Sequence, residues 1–119
     1  MPGHRNLSEQ QVQFAIQNGE FGDDVISSNS RIAVIMTQDW CSQWTVIRNW
    51  VSVLNKDPDI DIYIFIYNTS AYFTAFLELK ERKWGNGLIP YIRYYKDRKL
   101  AAESNYVTRD EFLDILKRS

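Results

Sequence analysis

The sequence predicts a single α/β domain, and three observations carry that prediction. Two apolar, β-branched segments, Ile32-Ala33-Val34-Ile35-Met36 and residues 60–67, each suit a strand covered on both faces. Between them, over residues 42–55, Trp44, Ile47, Trp50, Val51 and Leu54 recur at helical spacing, and strand, helix, strand implies a right-handed parallel crossover. Beyond Pro90, two short strand-like runs flank the polar turn Lys96-Asp97-Arg98-Lys99, which predicts a hairpin.

Each element can be justified in order. Ser8 and Gln11 form a capping-box start, and Val12, Phe14, Ala15 and Ile16 give a first helix its apolar stripe as far as Gly19. Residues 23–30 read as a polar connection. Lys56-Asp57-Pro58-Asp59 stops the second helix at Asn55. In the following strand Ile60, Ile62, Ile64 and Ile66 alternate with Asp61, Tyr63, Phe65 and Tyr67, so both of its faces are largely apolar. Tyr72, Phe73, Phe76, Leu77 and Leu79 mark a third helix, with Asn68 and Ser70 as expected caps and Gly85 and Gly87 ending it. The charge run Lys80-Glu81-Arg82-Lys83 reads as the solvated end of that helix, near its negative pole. Residues 91–95 and 100–105 form the hairpin, and Thr108 with Glu111 opens a last helix whose Phe112, Leu113, Ile115 and Leu116 face the core. Residues 1–6 are expected to be a flexible N-terminus, and residues 7–119 one domain without an internal repeat or linker.

Composition narrows the function. Fourteen basic and fifteen acidic residues leave a net charge of -1, so neither nucleic acid nor an anionic membrane is an expected partner. No apolar run is long enough to span a bilayer or to resemble a signal peptide, and a lone cysteine needs no oxidising compartment, so a cytoplasmic location is expected. His4 is the only histidine and lies near the terminus, which leaves no basis for a Cys-His pair or a metal site.

The element order, with Trp40-Cys41 at a strand-to-helix junction and Ile89-Pro90 just before the hairpin, resembles the thioredoxin family over nearly the whole chain. The resemblance implies a thioredoxin-like fold, a central mixed β-sheet flanked by helices on both faces. It implies Cys41 as the catalytic thiol, with a cis Pro90 beside it and a substrate-binding edge at Ile89 and Pro90; if the domain serves binding alone, Trp44 plugs the hole of a missing cysteine and exposed Trp40 and Trp44 are the expected anchor rings of the interface. Three departures accompany it. The family's Trp-Cys-Gly-Pro-Cys is replaced by Trp40-Cys41-Ser42-Gln43-Trp44, so Trp44 occupies the position of the resolving cysteine. Ile35 stands where the family carries a buried, proton-shuttling carboxylate. The segment between Cys41 and Pro90 is a few residues longer than usual, with the surplus around residues 80–86.

These departures leave two readings open. A thiol at a helix N-terminus faces unpaired backbone N–H groups and the positive end of the dipole, which favour an anionic sulfur, whereas Asp39 and the rings of Trp40 and Trp44 oppose it. On the first reading Cys41 forms mixed disulfides with protein or peptide thiols, glutathione among them, and an external thiol releases them, so the chain is at most a monothiol thiol-disulfide oxidoreductase. A dithiol reductase is excluded by the cysteine count. A peroxidase is disfavoured as well, since Thr37 lies four residues before Cys41 and no proline precedes it. On the second reading the domain is redox-inactive, and the groove beside Pro90 pairs with an extended peptide. Neither calls for a cofactor.

Overall fold

The strand β2 (Arg31–Thr37) is central because its alternating side chains have an apolar layer to enter on each side. In the computed structural model, which describes residues 5–54 and 57–117, Ile32, Val34 and Met36 enter one layer while Ala33 and Ile35 enter the other. All five are fully buried, and a large aliphatic side chain so placed contributes about 1.5–3 kcal/mol. β3 (Ile60–Ile66) repeats the alternation, with Tyr63 and Phe65 on the first side and Ile60, Ile62 and Ile64 on the second. It lies parallel to β2. β4 (Tyr91–Lys96) runs antiparallel to β2 on its other flank and continues into β5 (Lys99–Ser104). A two-residue strand β1 (Arg5–Asn6) completes the sheet order β1-β3-β2-β4-β5. Residues 1–4 of the terminus expected to be flexible lie outside the described residues.

Helices cover both faces. α1 (Glu9–Asn18) and α4 (Phe73–Glu78) pack on the first side, through Val12, Ala15 and Phe76. α3 (Ser42–Leu54) and α5 (Arg109–Lys117) pack on the second, through Trp44, Ile47, Val51, Phe112 and Leu116. The sequence signals at the ends hold. Ser8 and Gln11 exchange capping-box hydrogen bonds, Gly19 closes α1 at φ 78°, and Thr108 and Glu111 cap α5 in the same reciprocal way. Asp97 and Arg98 take positive φ values of 53° and 69°, the pairing that lets a two-residue turn follow the twist of its hairpin. The expected end of α3 at Asn55 lies outside the described residues.

Three expectations are corrected. The connection over 23–30 contains a short helix, α2 (Asp23–Ile26), because Val25 and Ile26 bury against the first layer while Asp23 and Asp24 occupy the positive end. Tyr67 leaves the strand for a 3-10 turn over Tyr67–Thr69. The charge run after α4 is not uniformly solvated, since Lys80 is fully buried. The cause is a π turn over Leu79–Lys83, in which the Trp84 N–H reaches back five residues to the Leu79 carbonyl (3.0 Å). The wider turn takes up extra chain and turns Lys80 inward. It ends at Gly85, φ 69°.

Within the first layer β4 also carries a cation. Arg93 is 4% exposed, pairs with Glu20 at 2.6 Å, and donates from its guanidinium to the hydroxyls of Tyr91 (2.9 Å) and Tyr95 (2.8 Å). Its guanidinium lies 4.1 Å from the centre of the Trp84 ring. Tyr95 donates in turn to Glu20, and Tyr91 to Glu103. Burial raises both phenols above the ordinary tyrosine range. Arg93→Met keeps the stem but leaves Glu20 without its cation and two phenols without the donor they accept from, so urea denaturation should register a loss of about 3 kcal/mol. A loss below about 1 kcal/mol would mean that water replaces the guanidinium at little cost.

Candidate functional site

β2 ends at Thr37, and the chain turns through residues 38–41 into α3. The Cys41 N–H donates to the Gln38 carbonyl (3.1 Å), and the Cys41 carbonyl accepts from the Thr45 N–H (3.4 Å). Cys41 therefore holds the cap position immediately before the helix, as expected of the handover. Its side chain does not face solvent. Cys41 is 5% exposed and belongs to the second apolar layer together with Ile35, Ile47 and Ile92. Trp44, one turn along α3, is equally buried in that layer, which corrects the expectation that its ring is exposed. With Ile35 fully buried at the position of the family's carboxylate, the surroundings of the sulfur are apolar.

Trp40 is the contrary case, at 68% exposed. Its indole N–H donates to the side chain of Gln38, whose amide donates to the Tyr67 hydroxyl (3.2 Å). The next residue is tied twice. The Asp39 N–H donates to Asn68 Oδ1 (2.9 Å), and Asn68 Nδ2 returns to the Asp39 carboxylate (2.8 Å). Asn68 thus fastens the loop before Cys41 to the chain leaving β3, and neither it nor Ser70 caps the next helix, a second correction: the Ser70 hydroxyl accepts from the Tyr72 N–H (3.0 Å) in the turn ahead of α4, whose N-cap is Tyr72. Burial raises the Tyr67 phenol, with the Gln38 hydrogen bond opposing. Sequence reasoning passed over Gln38. The only available signal was a pair of amides just past the ends of two buried parallel strands.

A second loop reaches the same end of the sheet. Tyr91 pairs with Met36, so residues 86–90 and 38–41 leave β4 and β2 together. The Ile89–Pro90 peptide bond is cis. Ile89 packs against both apolar layers, while Leu88 is largely exposed. Asn105, just past β5, donates to the Pro90 carbonyl (3.0 Å) and exchanges amide hydrogen bonds with Asn86 (2.9 and 3.0 Å). Tyr106 follows it and is partly exposed. Three loops thus meet beyond β2, β4 and β5, presenting Trp40, Leu88 and Tyr106 outward and keeping Cys41 and Trp44 inside.

No family model and no curated protein sequence matches the chain. Solved structures do match. Thioredoxin O1 of Arabidopsis thaliana in its oxidised state superposes with a TM-score of 0.70 at 14% identity, over 98% of this chain and 96% of that one. Thioredoxin f2 of Chlamydomonas reinhardtii gives 0.70 at 14% identity, over 98% and 95%. A mutant thioredoxin of Halobacterium salinarum gives 0.64 at 18% identity, over 80% and 79%. The chain has the thioredoxin fold, the central mixed sheet flanked by helices that the resemblance implied. Within that fold it carries a single cysteine.

The burial of Cys41 is open to direct measurement. Alkylation by iodoacetamide should run at least about tenfold slower in the native protein than in urea, since the thiol reacts only after a local opening of ~1.4 kcal/mol or more. Trp44→Ala should remove much of that protection and cost about 3–5 kcal/mol of stability. Equal native and unfolded rates in the wild-type protein would place the sulfur at the surface.

Proposed function

We propose that this chain, as one domain over residues 7–119, is a redox-inactive thioredoxin-fold binding module that holds an extended protein segment at the end of the sheet bearing Trp40, Leu88, Ile89 and Pro90. One observation carries the reading: the exposed ring belongs to Trp40, on a loop tied down at Gln38 and Asp39, whereas Cys41 and Trp44 are core residues. An aromatic side chain that is exposed yet held has little conformational freedom left to lose on binding. Backbone groups beside Ile89 then supply pairing for an extended strand, and Trp40 and Leu88 supply apolar contact. A cytoplasmic setting, where the lone thiol stays reduced, accords with this use.

The position of Cys41 favours a second reading. Cys41 stands at the head of α3, the place at which a nucleophile meets the positive end of a helix. On this reading the thiolate, once uncovered, attacks a disulfide such as that of oxidised glutathione. The products are a Cys41 mixed disulfide and one released glutathione thiolate, and a second external thiol must later free the protein.

One experiment separates the two. Peptides selected from a random display library under reducing conditions should bind wild-type protein and Cys41→Ser alike, and should lose about thirtyfold or more in affinity to Trp40→Ala, as an interface anchor does. Thermal unfolding of Trp40→Ala should stay close to wild type, because its ring is solvated. Capture that requires Cys41, together with a glutathione adduct on the native protein, would establish the monothiol reading instead.

A further inference from the structure

We propose that Lys80 is a positioning residue for the loop over 86–90, its buried ammonium acting as an internal clamp on the Asn86 and Leu88 carbonyls. The link from this clamp to binding rests on the function proposed above, whereas the clamp itself does not. Lys80 is fully buried, which is exceptional for a lysine. Its Nζ donates to the Asn86 carbonyl at 2.8 Å and to the Leu88 carbonyl at 2.6 Å, and lies 5.7 Å from the centre of the Tyr91 ring. Among the described residues these groups, and no carboxylate, hold it.

Removing an ammonium from water costs several kcal/mol, so an interior lysine without a paired anion persists where its donors meet a need of the backbone. Residues 86–88 have that need. They form no helix or strand, so the Asn86 and Leu88 carbonyls have no partner in regular structure and take their donor from Lys80. The π turn supplies it by swinging Lys80 beneath the loop, and the Asn86 N–H returns to the Lys80 carbonyl (3.0 Å), closing the connection from the other side. Lys80 thus joins the end of the α4 segment to the residues that lead into Ile89 and Pro90. Asn105 grips the same loop from the β5 side, through Asn86 and Pro90.

The clamp is charge-assisted, and so depends on pH. Burial lowers the Lys80 amine from its ordinary range to about 8, with Glu81 on the same turn opposing. The other titratable group facing it is the Tyr91 phenol, which stays protonated well above that pH, and Asn86, Gly87 and Leu88 carry none. Below about pH 8 the ammonium holds both carbonyls. Above it a neutral amine makes weaker bonds. Folded and unfolded states respond oppositely, since between about 8 and 10.5 the unfolded chain keeps a proton that the folded chain has released. Global stability from this group therefore rises with pH while the loop loosens.

The test follows the carbonyl carbons of Asn86 and Leu88 and the Cε of Lys80 by NMR from about pH 6 to about pH 10, in the full chain and in Lys80→Met. In the wild-type protein all three should titrate together near pH 8, a coupling that a lysine merely filling space would not give. In Lys80→Met the carbonyl titration should vanish, and amide exchange over 86–90 should rise at least about tenfold while β2 and β3 stay protected. Carbonyls that stay flat as Cε titrates overturn the clamp in the wild-type protein alone, even if the variant does not fold. Unchanged loop exchange in a folded variant overturns it too. Display-selected peptides should bind Lys80→Met at least about tenfold more weakly. A wild-type protein that selects no peptide refutes the binding function while the NMR result still decides the clamp, and equal affinity for the variant refutes their connection.

Discussion

Burial of β2 on both faces is the constraint from which the rest follows. A strand with fully buried side chains on each side must be covered twice, and helices are the covers that a parallel crossover supplies. Once α3 has to start beneath the second face, the chain leaving Thr37 has only residues 38–41 in which to reverse. Cys41 is the last of them and faces the layer that α3 covers. The next position on that face of α3, one turn further along, is Trp44. It is buried there, and burying an aromatic ring removes apolar area on the scale of 200 Å², or about 5 kcal/mol. That ring and Ile35 share the apolar layer in which Cys41 is buried. Packing thus determines which of the two tryptophans can meet a partner.

The opposite face accommodates two cations, by different means. Arg93 satisfies its guanidinium with a carboxylate, two phenols and the face of Trp84, so its charge is neutralised within the layer. Lys80 answers to backbone carbonyls. The difference matters for mobility. A paired network between a strand and the α1 terminus ties regular elements together, whereas a lysine bound to loop carbonyls sets the shape of a segment that has no ladder of its own. Asn68, Gln38 and Asn105 do the same for the neighbouring loops. The end of the sheet is accordingly ordered by side-chain hydrogen bonds, and its apolar groups are free to point outward.

Much of this was legible in the residues. Capping boxes at Ser8 and Thr108, alternation in β2 and β3, and the turn at Asp97-Arg98 are local signals, and local geometry decided them. The site was legible in outline only. Trp40 and Trp44 have the same chemistry, and which one is buried depends on where α3 lies against the sheet. Lys80 was misread because a run of four charges looks solvated, and its reversal depends on a π turn with no sequence signature of its own. Asn68 was read through its neighbours as a cap, although its partner Asp39 lies 29 residues away. The misses at Trp44 and Asn68 concern contacts made across the fold, whereas the one at Lys80 turns on how a local turn is wound.

On the function proposed above, this end of the sheet binds without using its sulfur. The most direct test is chemical-shift mapping of a bound extended peptide on the isotope-labelled protein in the presence of reductant. Perturbations should gather in residues 38–41, 86–91 and 104–107 and stay unchanged when Cys41 is replaced by serine. Perturbations confined to the outer face of α3 or the free edge of β5, or a complex that dissolves on reduction, would contradict that function.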